Sequence, residues 1–198
     1  MNKITNLTLA LLFISNIVLA QKLQLTEAAT EYKNNFSPQW MMQADNLAKN
    51  KAVLIKAKKA IDESFAKNEE TKILKSKDIA KLYYYRGMIY LDYTMMGAMD
   101  VEIMSDLKTM DEKAINEASM GSLKKCMELD TRGSYKPFIK DKINMLRSLM
   151  INSGVSMFEQ QEYEAALGAF AGAVELYDVL SIPDTLAMIN AALAAEKS

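Results

Sequence analysis

The sequence predicts an all-α protein, on three observations. Apolar residues recur at a period near 3.6 along most of the chain, with no sustained alternation of apolar and polar residues. Only seven Gly and three Pro punctuate 198 residues, too few for the many tight turns of a β protein. The composition is rich in Ala, Leu, Met, Lys and Glu, the residues that lose least on entering a helix. A chain of this length buries enough apolar surface to fold as one domain without disulfides or metal.

The N-terminus reads as an address. Lys3 is followed by an almost unbroken apolar stretch, Leu7 to Leu19, and by Val18-Leu19-Ala20 before a cut. The run falls short of the roughly 20 apolar residues that span a bilayer, so residues 1–20 are expected to be a cleaved signal peptide. The product would be exported, periplasmic or envelope-associated, with no stable membrane insertion. Cleavage would remove Lys3 alone among charged residues, leaving 23 basic against 25 acidic side chains. That near balance gives no general attraction for nucleic acid.

The helices follow in order. Gln24 to Phe36 is one, stopped at Ser37-Pro38, because proline disfavours helical geometry in the residue before it. Gln39 to Lys67 carries the stripe Leu47, Val53, Leu54, Ala57, Ala60, Ile61 and Phe65, with its lysines facing water. Residues 68–77 lack a stripe and read as a linker. Asp78 to Tyr93 is a third helix. Met95 to Met110 has a weak pattern around Val101, Ile103, Met104 and Leu107 and reads as an insertion. Glu112 to Leu129 is helical, and residues 130–134 form a connection. Lys136 to Gln160 holds Ile139, Ile143, Leu146, Met150, Gly154 and Met157 in register. Tyr163 to Leu180 follows, and Pro183 starts a last helix. Short connections favour antiparallel neighbours.

Gly154, Tyr163, Ala166, Phe170 and Ala173 fall at the eighth, seventeenth, twentieth, twenty-fourth and twenty-seventh positions of a 34-residue unit. Tyr83, Gly87 and Tyr90 repeat the first-helix pattern, with Cys126 on the second helix, and Asp184-Thr185-Leu186-Ala187 opens a further start with Ala192 in the glycine place. On these residues the chain resembles tetratricopeptide repeat proteins, and more narrowly the exported repeat proteins of Bacteroidota. The resemblance covers most of residues 21–198: an irregular pair at 22–67, a repeat with an insertion at 78–130, the best-matching repeat at 136–180 and an incomplete one at 183–198. It departs from the pattern where 39 residues separate Gly87 from Cys126, about twice the regular spacing. A second register, with a degenerate repeat between Gly87 and Gly154, is the alternative to an insertion.

The resemblance implies a right-handed α-solenoid whose first helices line a concave groove that binds a peptide or helix of a protein partner. Its groove positions map onto Lys81, Tyr84, Met88, Leu91 and Asp92 in one unit and Ser148, Ile151, Val155, Phe158 and Glu159 in the next. The alternative is that inserted segments or a long neighbouring helix cover them. Tyr84, Met88, Ile151 and Val155 stand where chaperone-binding members carry Lys and Asn, so capture of a chaperone tail is not expected. The incomplete last repeat suggests a fragment of a longer array, with self-association through an exposed C-terminal helix.

Enzymatic readings find little support. Without histidine there is no Ser-His-Asp triad, no Cys-His pair and no imidazole metal ligand. Glu69-Glu70, Asp100 with Glu102, and Asp111-Glu112 read as solvated faces. Asp100, Glu102 and Asp106 could hold a cation weakly but lack the glycine and spacing of an EF-hand. No cofactor or metal is expected. The basic run Lys56, Lys58, Lys59 has no interleaved aromatic for nucleic acid. Cys126, the single cysteine, reads as a buried hydrophobe, the alternative being a redox thiol or an intermolecular disulfide. A small-ligand sensor, or a carboxylate-dependent enzyme, is the alternative function.

Overall fold

In a computed structural model, residues 3–36, 44–72 and 74–198 are described, with side-chain surroundings from residue 19 onward apart from 37–45 and 73. The expected stop at Ser37-Pro38 and the start of a helix at Gln39 lie outside the described residues. Among the described residues the chain is all-helical and contains no strand. No described helix is long and apolar enough to cross a membrane. The chain divides into two compact units, Met1–Ser122 and Leu123–Ser198.

The first unit opens with α1 (Lys3–Asn35) and α2 (Ala44–Thr71), packed against each other. Helix α1 runs unbroken through the expected cleavage position and the expected start at Gln24. Its inner stripe is Gln21, Leu25, Ala28, Ala29, Tyr32 and Phe36, all buried, the three-and-four spacing of one helical face. On α2 the predicted stripe holds for Val53, Leu54, Ala57, Ala60 and Ile61, all buried, while Phe65 and Leu47 are half-buried. The expected linker is shorter than the sequence suggests, because α2 continues to Thr71 and the next helix begins at Ser76.

Helix α3 (Ser76–Gly97) is the centre of this unit. Residues 88–93 are buried without a break, so the helix is covered on every side rather than along one stripe. Helices α1, α2 and α4 (Val101–Thr109) pack on it, as does a π-helical turn at Glu117–Gly121. The segment read as an insertion is therefore the end of α3 plus α4 folded back on it. Gly97 permits the fold-back: a Cβ there would lie 2.5 Å from a Leu107 methyl, and Ile103 and Leu107 bury the inner face of α4. Asp100 starts α4 by accepting hydrogen bonds from the Glu102 and Ile103 amides, both at 3.0 Å, which satisfies donors a helix leaves open at its first turn. Between α4 and the π turn lies the short α5 (Glu112–Asn116).

The second unit takes in α6 (Ser122–Leu129) from Leu123 onward, then α7 (Lys136–Glu159), α8 (Tyr163–Asp178) and α9 (Thr185–Lys197). Helix α8 packs against both α7 and α9. The expected bounds of α7 and α8 hold to within two residues. Pro183 does not start α9: it precedes Asp184, whose carboxylate accepts from the Ala187 amide at 3.1 Å as the cap. Asp130, in the connection before α7, accepts from the backbone N–H of Tyr135 at 2.6 Å and of Lys136 at 3.3 Å and so braces the entry to that helix.

Candidate functional site

In the second unit, the contact between α7 and α8 is built around a missing side chain. A Cβ on Gly154 would lie 2.6 Å from the Phe170 ring, with two further ring atoms at 2.9 Å, so only glycine admits the ring at this depth. Phe170, Ala166 and Ala173 are buried. Tyr163 is half-buried and meets Phe158 edge to face, centroids 5.1 Å apart, which fixes the turn between the two helices. On α9 the small residue against Phe170 is Ala194, fully buried, with Ala191 beside it. Ala192, expected in the glycine place, is exposed, with no described helix following α9 to pack on it.

The other face of this arrangement is open. Val155, Phe158 and Glu159 of α7, Phe170 of α8, and Asn190 and Leu193 of α9 line a pocket of about 180 Å³. Three of the residues mapped from the resemblance, Val155, Phe158 and Glu159, thus line one cavity. Ser148 is exposed away from that lining, and Ile151 is half-buried against the Phe170 cluster. Leu186, Ile189 and Leu193 are each about half exposed, and their spacing places them on one face of α9. Asn190 and Leu193 were missed as site residues, although that spacing was there to be read. Arg147 was missed too: it forms two parallel hydrogen bonds to Asp184, one at 2.8 Å, and its guanidinium lies 4.8 Å from the Tyr177 ring centre. Arg147 first, and the Ala187 amide after it, hold the Asp184 carboxyl below the usual carboxylate range.

The groove positions of the first unit are corrected. Met88, Leu91 and Asp92 are buried, not a concave wall, because α1 lies over this part of α3. The Tyr32 hydroxyl of α1 donates to Asp92, and its ring stands edge-on to Tyr85 at 6.3 Å. Burial, and then Asp92, raise the Tyr32 phenol well above its ordinary value. Lys81 and Tyr84 are half-buried, with the Lys81 ammonium 5.9 Å from the Tyr85 ring and Tyr84 edge-on to the same ring at 5.0 Å. Gly87 is buried. Tyr83 packs edge-on against Phe65 at 5.6 Å, and the Tyr90 hydroxyl donates to Asp62 at 2.9 Å.

A charged cleft of about 420 Å³ lies between α2, α3 and α4. Three of its carboxylates, Asp62, Glu102 and Asp106, meet lysine ammonium groups. Lys51 pairs with Asp100 at 3.0 Å and Glu102 at 2.6 Å. Lys58 pairs with Asp62 at 3.1 Å and lies 3.9 Å from Asp106, which also accepts from the Tyr93 hydroxyl at 2.9 Å. The Asp100, Glu102 and Asp106 trio, read as a weak cation site, therefore has lysine ammonium groups as its cations, and no metal-holding cluster is found among the described residues. Burial first, and then their carboxylate partners, raise the phenols of Tyr90 and Tyr93, which places both far from acid-base work at neutral pH. Glu69, Glu70, Asp111 and Glu112 are exposed, as solvated faces.

Cys126 is fully buried. Burial, with Asp130 adding to it, pushes its thiol up to about 12, the signature of an inert core residue.

Comparisons with protein-family models, curated proteins and solved structures give no match to this chain.

Proposed function

We propose that this chain is an exported scaffold of tetratricopeptide type, without catalysis, that holds an apolar segment of a protein partner in the groove between α7 and α9. The repeat reading is supported by the seating of Phe170 on Gly154 and by buried Ala166 and Ala173 at their expected places. Export is supported by the apolar run that follows Lys3. The observation that carries the binding reading is the pocket itself. It has an aromatic floor at Phe170, apolar walls at Val155, Phe158 and Leu193, and polar groups only at Glu159 and Asn190. Apolar concavities with a few placed polar groups are the usual form of a recognition site.

A photo-reactive residue at Val155 tests this in intact cells, with the same probe at Glu175, an exposed position of α8, as control. The expected result is a discrete adduct at Val155, absent at Glu175 and lost on Leu193→Asp. Identical adducts from both positions would remove the groove from consideration.

A further inference from the structure

We propose that the groove's occupant is a basic amphipathic helix, one large apolar side chain entering the pocket while its lysines or arginines meet a carboxylate rim. The inference rests on the groove reading above and adds the chemistry of the partner. From Ser148 to Ala195 the sequence carries six carboxylates and no lysine or arginine. Two of them are matched within the unit, Asp178 by Lys124 and Asp184 by Arg147. Glu159, Glu162, Glu164 and Glu175 are exposed. Glu159 lines the pocket. Glu162 and Glu164 follow in the turn that leads from α7 into α8, where the Glu162 amide bonds the Met157 carbonyl at 2.9 Å and Phe158 touches Tyr163, so both lie within a few residues of the pocket-lining Phe158 and Glu159.

An apolar pocket with an acid-rich rim selects by charge and anchors by burial. Beyond Arg147 the sequence has one basic side chain, Lys197, a turn past Leu193, against the exposed Glu159, Glu162 and Glu164, so the balance at the Glu159 end favours a basic partner. The exposed row of Leu186, Ile189 and Leu193 continues the apolar wall from the pocket along one face of α9, a surface long enough to meet more than one anchor of a docked helix.

Two fluorescein-labelled peptides of identical leucine and phenylalanine face, one with lysine and the other with glutamate on its polar face, test this by anisotropy against the full chain. The lysine peptide is expected to bind, about thirtyfold more weakly to Leu193→Asp, about tenfold more weakly to Glu159→Lys/Glu162→Lys, and more weakly in high salt. Val155→Asp replaces Leu193→Asp should the latter unfold. Equal binding of both peptides, or an affinity untouched by the double reversal, overturns the charge inference and leaves the groove standing. Binding that survives both Asp substitutions but not the charge reversal is adhesion to the acidic rim and overturns it as well. Failure of both peptides to bind removes the groove reading itself.

Discussion

Arg147 on α7 grips Asp184 through two parallel hydrogen bonds, and the same carboxylate caps the first turn of α9. One acidic residue therefore closes a helix start and ties it to a helix 37 positions earlier in the chain. Asp184 is nearly fully buried, so this differs in kind from the exposed ion pairs of the surface, which contribute little.

Asp184→Ala is expected to cost about 2–4 kcal/mol, combining a lost cap with a guanidinium left unpaired. Asp184→Asn keeps a capping oxygen and should cost less. The Asp184 pKa is lowered in the folded state, so its contribution is present above the unfolded value of about 3.9 and is lost as pH falls through the lower folded value. Urea unfolding at pH 7 and at pH 2–4 checks this: wild type should lose stability towards acid more steeply than Asp184→Asn.

Gly154→Ala and Gly168→Ala should move stability in opposite directions. Both glycines lie within helices, where alanine gains up to about 1 kcal/mol. At Gly168 nothing lies within 4 Å of the added methyl, so the gain is realised. At Gly154 the methyl strikes the buried Phe170 ring, and overpacking costs of about 1–3 kcal/mol exceed the gain. Thermal melts of the two variants decide it.

Tyr32→Phe removes a donor from buried Asp92 and should cost about 1–3 kcal/mol. The raised phenols of Tyr32, Tyr90 and Tyr93 contribute stability that is fully present below the unfolded tyrosine value of about 10. It is lost as pH rises from there towards their folded values. The part of the phenolate absorbance that Tyr32→Phe, Tyr90→Phe and Tyr93→Phe remove should therefore lag behind that of free tyrosine and appear together with unfolding in alkali.

Cys126 should resist alkylation in the native protein at pH 8 and react on addition of denaturant, because the thiolate is both inaccessible and disfavoured by its surroundings. Stoichiometric labelling of folded protein would contradict the burial.

What could be read from the sequence was whatever repeats locally. The bounds of α7 and α8, the stripe of α2 and the partnership of Gly154 with Phe170 all follow from spacing within a few dozen residues. What could not be read were pairings without a period. Tyr32 with Asp92 and Lys51 with Asp100 join residues roughly half the first unit apart, and no local pattern marks them. This is why Met88, Leu91 and Asp92 were assigned to an open wall: their helix carries the right residues, but α1 covers it.

The complete enclosure of α3 over residues 88–93 has a kinetic corollary. Amide hydrogens there have no route to deuterated solvent short of opening the whole first unit, so they should be its last to exchange. Their protection would report the unit's global unfolding free energy, while the ends of α4 and α5 exchange early through fraying.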